Sequence, residues 1–124
     1  MIIYKISDSI VFNALKKIKY GFLEITKIDG EILKFGNPDD NLKVSLTIKD
    51  ESLTYNLIKS GSIGLGESYM KDFFITNNLT DLIELTARNI KTIYKFSGIF
   101  DLPLINFFKN KVIKNTKNRS KKNI

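Results

Sequence analysis

Apolar residues near the N-terminus recur at the spacing of one helical face. Across residues 10–18 they return every three or four positions, which is the period of an amphipathic helix. Ser7 precedes this stripe and is of a type that caps helices, and Ile6 can pack back onto the first turn. We therefore predict a helix that begins at Ser7. Its apolar stripe consists of Ile10, Val11, Ala14, Leu15 and Ile18.

The next part of the chain changes to the period of β-strands. Residues 22–28 and 31–35 flank Asp29-Gly30, a dipeptide that favours positive φ at both of its positions in a tight hairpin turn. These two strands should be antiparallel. Apolar and polar residues then alternate strictly over 42–49, which predicts a third strand with one buried face and one face in water.

Helical spacing returns after the third strand. Asp50 is expected to cap a helix that ends at Gly61, and the apolar run 73–75 suits a short strand. Asn78 should cap a long helix that ends near Gly98. Strands followed by helices, with one hairpin and no alternating βαβ pattern, predict an α+β domain with a mainly antiparallel sheet.

A block of glycines lies between the second predicted helix and the short strand. Gly61, Gly64 and Gly66 indicate a tight, packed turn, and Gly66 is expected at a backbone conformation or close contact that excludes a β-branched residue. Gly61 and Gly66 have the outer spacing of a P-loop, but Glu67 replaces the lysine that binds phosphate. Tyr69 occupies the third glycine position of a dinucleotide fingerprint. The block is therefore interpreted as a structural turn. We expect this turn to bury Leu65, Tyr69 and Met70.

Composition narrows the chemistry that the chain can perform. Its 124 residues suit one domain and include no histidine and no cysteine. These absences exclude a Ser-His-Asp triad, a cysteine nucleophile and the usual zinc ligands. The adjacent acidic pairs, Asp39-Asp40 and Asp50-Glu51, fall where turns or helix starts would place them. No apolar run is long enough to span a membrane, and the N-terminus has no signal-peptide pattern.

The net charge of +7 is concentrated at the C-terminus. From Lys109 onward there are seven basic residues and no acidic ones, while the other 13 basic residues balance the 13 acidic ones. An apolar helix predicted over 101–113 leads into this basic segment. The helix either packs on the sheet, docks on an anionic membrane or connects to a further domain. Nucleic acid is a disfavoured partner because no aromatic residues are interleaved with the basic ones. The candidate contacts to anionic lipid are Lys114, Lys117, Arg119, Lys121 and Lys122.

Two stretches of sequence resemble a known family. Residues 61–70 and then the stretch from Asn78-Leu79 to Arg88-Asn89 are similar to the N-terminal domain of the cyclopropane-fatty-acyl-phospholipid synthases. Residues 115–124 resemble the basic connector to their methyltransferase domain. Lys71-Asp72 departs from the Asp-Gly usual in that family, and Asn78 replaces an aspartate. The order of elements around 61–70 also resembles sterol-carrier-protein-like lipid-binding domains. The motif residues, which are candidates for facing lipid, are Gly61, Gly64, Gly66, Glu67, Tyr69 and Met70.

The resemblance implies an accessory domain over 1–113, followed by a connector over 114–124. In that family S-adenosylmethionine and the catalytic residues belong to the methyltransferase domain, so it implies no catalytic, cofactor-binding or metal-binding residue here. The implied partners are phospholipid or a membrane surface and a methyltransferase domain in cis or in trans, with a homodimer left open. The implied location is the cytoplasm, at the inner face of the membrane. The alternative is an independent small lipid-carrier or interaction protein.

Overall fold

The computed structural model describes residues 2–97 as one sheet covered by helices. The elements in chain order are α1 (Ile2–Leu15), β1 (Phe22–Thr26), β2 (Ile32–Gly36), β3 (Lys43–Ile48), α2 (Leu53–Met70), β4 (Phe74–Thr76), α3 (Leu79–Arg88) and α4 (Ile90–Ser97). The α+β class predicted from the sequence is confirmed. The predicted helix over 101–113, the break at Gly98 and the basic tail lie outside the described residues.

The four strands form a mixed sheet in the order β2-β1-β3-β4. β1 pairs with β2 and β3 with β4 in antiparallel fashion, while β1 and β3 are parallel. β2 lies at the edge of the sheet, and the segment 37–42 leads from its end past the start of β1 to the other side of that strand. β3 therefore begins beside the start of β1 and runs parallel to it. Two of the three strand pairs therefore follow the predicted antiparallel pattern.

Asp40 links this crossing segment to the start of β1 by hydrogen bonds. Its carboxylate accepts hydrogen bonds from the backbone N–H groups of Leu42 and Gly21, each at 2.9 Å. The N–H of Phe22 donates in turn to the carbonyl of Leu42 at 2.8 Å. The pKa of Asp40 is lowered below its ordinary value of 3.8. The hydrogen bond from Leu42 has the largest effect and that from Gly21 the next, while the Arg88 charge contributes less.

This lowered pKa predicts the pH at which the crossing segment loses support. A depressed carboxyl pKa stabilises the folded chain above the ordinary pKa, and that stability is lost as the pH falls through the folded pKa. Asp40→Asn should therefore lower the Tm at pH 7, and the gap to wild type should close below about pH 4. Thermal melts from pH 7 to pH 2 measure the gap, with Asp39→Asn as the neighbouring control. A gap that stays constant with pH would contradict the assignment.

The core lies on one face of the sheet only. Alternate residues of β1 and β3, such as Leu23, Ile25 and Leu46, are buried against the helices, as the alternation over 42–49 predicts. The opposite face carries polar residues such as Lys34 and Lys43 and is not covered by any element within residues 2–97. All four helices therefore form a single layer, with α1 packed against both α2 and α4.

The hairpin turn between β1 and β2 differs from the expected one. Gly30 has φ +91°, but Asp29 does not have positive φ. The N–H of Gly30 donates to the carbonyl of Lys27 at 2.9 Å, and the N–H of Lys27 donates to the carbonyl of Glu31 at 2.8 Å. These bonds describe a three-residue loop in which an ordinary turn is followed by one left-handed glycine. The antiparallel pairing is correct, whereas the prediction of two positive-φ residues is wrong.

Two of the predicted helix caps are also wrong. Ser7 is buried inside α1, where its hydroxyl donates to the Ile3 carbonyl at 2.8 Å, because the helix begins five residues earlier than predicted. The Asp50 carboxylate accepts from the N–H of Ser52, which precedes α2, at 2.9 Å rather than from the first turn of that helix. The cap at Asn78 is confirmed, since its side chain accepts from the N–H of Asp81 at 3.1 Å.

The glycine block is part of a helix and not a turn. Gly61 leaves helical geometry, with φ 55° and ψ −131°, but the helix resumes and continues to Met70. The predicted break at Gly61 is therefore present as a kink, and the predicted turn after it is absent. Leu65 is half-buried, whereas Tyr69 and Met70 are 40% and 76% exposed, so the expectation that the block buries them is wrong.

The close contact expected at Gly66 is found at Gly64 instead. A Cβ built on Gly66 meets nothing within 4 Å, and this residue lies in the helix without positive φ. A Cβ on Gly64 would collide with the backbone carbonyl of Asn56 and press on Ser60. The kink at Gly61 turns the second half of α2 so that Gly64 approaches the first half. The prediction for Gly66 is therefore wrong, and Gly64 is the glycine that this packing requires.

Candidate apolar binding site

A cavity of about 130 Å³ lies between the sheet and the helical layer. Its wall is formed by core-facing side chains of β1 and β3 and by all four helices. The lining residues are Val11, Phe12, Leu15, Leu23, Ile25, Leu46, Ile48, Leu53, Thr54, Leu57, Gly61, Ser62, Leu65, Leu82, Thr86, Ile90, Ile93 and Tyr94. All four helices contribute half-buried members to this lining, so the cavity comes near the surface at the helical layer. They are Phe12, Leu57, Gly61, Ser62, Leu65, Thr86 and Ile93.

The kink of α2 explains why a void exists at this point. Gly61 and Ser62 form the wall at the kink, where the chain presents no side chain and then a very small one. Close-packed cores ordinarily leave few voids larger than a water molecule. Here the backbone changes direction at the position where a bulky side chain would otherwise fill the space.

The lining favours an apolar guest over a polar one. The Thr54 hydroxyl donates to the carboxylate of Asp8 at 2.5 Å, and the Thr86 hydroxyl donates to the carbonyl of Leu82 at 2.8 Å. The other lining side chains are mainly aliphatic. An apolar cavity of about 150 Å³ can hold one benzene-sized molecule, and pockets for larger ligands begin at about 300 Å³. The cavity therefore suits the end of an acyl chain rather than a whole lipid.

A basic cleft adjoins this cavity at the junction of α3 and α4. It is lined by Lys19, Tyr20, Ala87, Arg88, Ile90, Lys91 and Thr92. Ile90 belongs to both linings, and its side chain is 5% exposed. The apolar cavity and a cleft that carries three basic residues therefore have one buried residue in common.

Asn89 does not line the basic cleft itself but joins the two segments that do. Its side chain is 1% exposed, and its oxygen accepts from the N–H groups of Lys19 and Tyr20 at 2.9 and 3.0 Å. Its amide nitrogen donates to the carbonyls of Tyr20 and Leu85 at 2.8 Å each. The sequence analysis names Asn89 only within the family resemblance and gives it no structural role, although it interrupts the helix predicted to run on from Asn78. An asparagine among apolar positions of a helical stretch was the available signal.

The six motif residues of the glycine block do not form one site. Gly61 lines the cavity, but the other five, Gly64, Gly66, Glu67, Tyr69 and Met70, do not. Glu67, Tyr69 and Met70 are exposed on the second half of α2, and Tyr69 lies against Phe74 with ring centroids 5.8 Å apart. The candidate lipid contacts Lys114, Lys117, Arg119, Lys121 and Lys122 lie outside the described residues.

The acidic residues and Ser68 were the remaining side chains to consider for chemistry in the described part of the chain. Within residues 2–97 no group of three acidic, His or Cys side chains is placed to hold a metal ion. Ser68 is buried there and its hydroxyl has no hydrogen-bond partner, so no base activates it as a nucleophile. No helix in residues 2–97 has the length and apolarity to cross a membrane.

A family model described as a domain of unknown function (DUF7884) matches residues 10–97. This range includes every residue that lines the cavity, from Val11 to Tyr94, and every residue of the basic cleft. No curated protein and no solved structure matches the chain.

Proposed function

The chain belongs to the DUF7884 family, a domain of unknown function, and we propose that it is a non-catalytic lipid-binding domain. The observation that carries this proposal is the apolar cavity between the sheet and the helices. Burial of apolar surface is the main source of affinity available in a cavity whose threonine hydroxyls already have partners. An acyl chain is the common biological ligand that presents an unbranched apolar end to such a space.

In its fuller form, the proposal makes the chain an accessory domain of a cyclopropane-fatty-acyl-phospholipid synthase-like enzyme. The resemblance of residues 61–70 and 115–124 supports this assignment. The domain would assist binding of phospholipid or of the membrane surface at the inner face of the cytoplasmic membrane. A methyltransferase domain, in cis or in trans, would bind S-adenosylmethionine and carry out the reaction. The basic tail beyond Lys109 would contact anionic lipid, since clustered lysines are attracted to such surfaces.

The second candidate is an independent small lipid carrier. One feature favours it: among the described residues, every lining residue lies between Val11 and Tyr94. The matched family range, 10–97, therefore carries this lining by itself.

Titration with 1-octanol tests whether the cavity binds an acyl-like ligand. This alcohol is neutral and unbranched, so it reports apolar binding without a contribution from headgroup charge. Amide chemical shifts of the labelled full chain should change at cavity residues such as Leu57 and Ile93. Leu65→Trp should weaken binding by about tenfold or more because its ring fills the cavity.

A matched control separates filling of the cavity from the mere addition of an indole. Ile63→Trp places the same ring two residues away in α2, at a side chain that is exposed and does not line the cavity. It should leave octanol affinity unchanged. Ser62→Leu fills the cavity from the kink and serves as a second test if Leu65→Trp does not fold. Equal octanol binding by wild type and both filling variants would overturn the proposal.

A further inference from the structure

We propose that the ligand is a single-chain anionic lipid, with its acyl end in the apolar cavity and its headgroup in the basic cleft. This inference rests on the proposed lipid-binding function and adds the charge of the ligand and the position of its headgroup. The observation behind it is the shared lining, since Ile90 lines both the cavity and the cleft.

The cleft has cationic groups available for an anion. Among the described residues that line it there is no carboxylate, and Lys19, Arg88 and Lys91 are basic. Arg88 is held by Glu84, with nitrogen and oxygen 2.7 Å apart, and is also within electrostatic range of Asp40. Lys19 and Lys91 form no ion pair with any residue in the range 2–97. The two lysines are therefore the groups that would recognise a phosphate or carboxylate.

The backbone that carries these lysines is held in place before any ligand arrives. The side chain of Asn89 binds the N–H groups of Lys19 and Tyr20, so the loop after α1 is fixed against the α3–α4 junction. Lys91 follows two residues later in α4. The two basic residues thus belong to segments joined by part-buried hydrogen bonds, which reduces the ordering cost when an anion binds.

A cleft that bound only a small anion would not need an apolar neighbour. Here Ile90 belongs to the linings of both spaces, and side chains of this kind change rotamer within the native fold. A ligand with an apolar end and an anionic end can occupy both spaces once that side chain turns. Neither a free phosphate nor an uncharged lipid uses both.

Two lipids with the same acyl chain and different headgroups test the inference. The full chain is titrated with lauroyl lysophosphatidate and with monolaurin, each below its micelle-forming concentration. Wild type should bind the lysophosphatidate about tenfold more tightly, and the preference should shrink in 0.5 M salt because screening weakens contacts between exposed charges. Only the lysophosphatidate should shift the amide signals of Lys19 and Lys91. Laurate as a third arm distinguishes a carboxylate from a phosphate as the preferred anion.

Charge-neutralising variants locate the headgroup. Lys19→Gln combined with Lys91→Gln should remove the preference for lysophosphatidate while leaving monolaurin affinity unchanged. Lys34→Gln combined with Lys43→Gln makes the same change in charge on the uncovered sheet face and should preserve the preference. Equal wild-type affinity for the two lipids, or equal loss in both double variants, would overturn the headgroup site while leaving the cavity proposal intact. Failure of both lipids and octanol to bind would overturn the lipid-binding function itself.

Discussion

Replacing Gly64 by alanine should lower the free energy of unfolding by at least about 2 kcal/mol, in the range of overpacking effects. The added Cβ would collide with the backbone carbonyl of Asn56, which cannot rotate aside as the end of a flexible side chain could. Relief requires the two halves of α2 to move apart at Gly61. Gly64→Val should cost more, because its branched side chain adds volume at the same contact. Urea melts of the variants measure the loss.

Gly66→Ala provides the matched control within the same helix. Gly66 is exposed, and its Cβ would meet nothing within 4 Å. Alanine restricts the unfolded chain and favours helix, so the free energy of unfolding of this variant should rise by about 0.5 to 1 kcal/mol. Opposite signs at two glycines of one helix would establish that Gly64 is needed for close approach. Equal effects would show that the kinked packing of α2 is incorrect.

The glycine block illustrates what the sequence could and could not predict about this fold. The break at Gly61 was predictable, because glycine after helical spacing commonly ends a helix. The resumption of the helix was not, because it depends on Gly64 meeting the carbonyl of Asn56, eight residues earlier. Local spacing cannot distinguish a glycine that permits such a contact from one, such as Gly66, that faces water.

In the sheet, the buried faces of the strands could be predicted from local sequence, whereas the pairing of the strands could not. Alternation along each strand predicted the buried faces of β1 and β3, and Gly30 marked the hairpin. The parallel pairing of β1 with β3 depends on which side of β1 the chain passes after β2. The path of the chain after β2 is held by hydrogen bonds that the N–H groups of Gly21 and Leu42 donate to the Asp40 carboxylate. An acidic residue in a turn gives no sign of a partner 19 residues away.

The candidate site was predictable in its composition but not in its shape. The apolar stripes around Val11, Leu82 and Ile93 indicated which side chains face the interior. They did not indicate that these side chains leave a space unfilled, because the void arises from the kink at Gly61. The basic cleft was hidden for a related reason: Lys19 and Lys91 are distant in sequence, and Asn89 brings their segments together.

Replacing Asn89 by alanine should lower the free energy of unfolding by roughly 3 kcal/mol or more. The change removes four hydrogen bonds and leaves the N–H groups of Lys19 and Tyr20 without their acceptor in a part-buried setting. Each buried polar group left unpaired costs about 1 to 3 kcal/mol. Asn13→Ala, at an exposed position of α1, should change stability by less than about 0.5 kcal/mol. Urea melts of the two variants give the comparison.

Asn89→Asp distinguishes the loss of hydrogen bonds from the loss of side-chain volume. Aspartate has nearly the same size and keeps one acceptor for the two N–H groups, but its second oxygen faces the carbonyls of Tyr20 and Leu85. At neutral pH that contact is repulsive, so this variant should also be destabilised. As the pH falls the carboxyl can take up a proton and donate to one carbonyl, so its stability relative to wild type should rise. Little or no deficit at any pH would mean that Asn89 acts by filling space, and that the cleft does not depend on its hydrogen bonds.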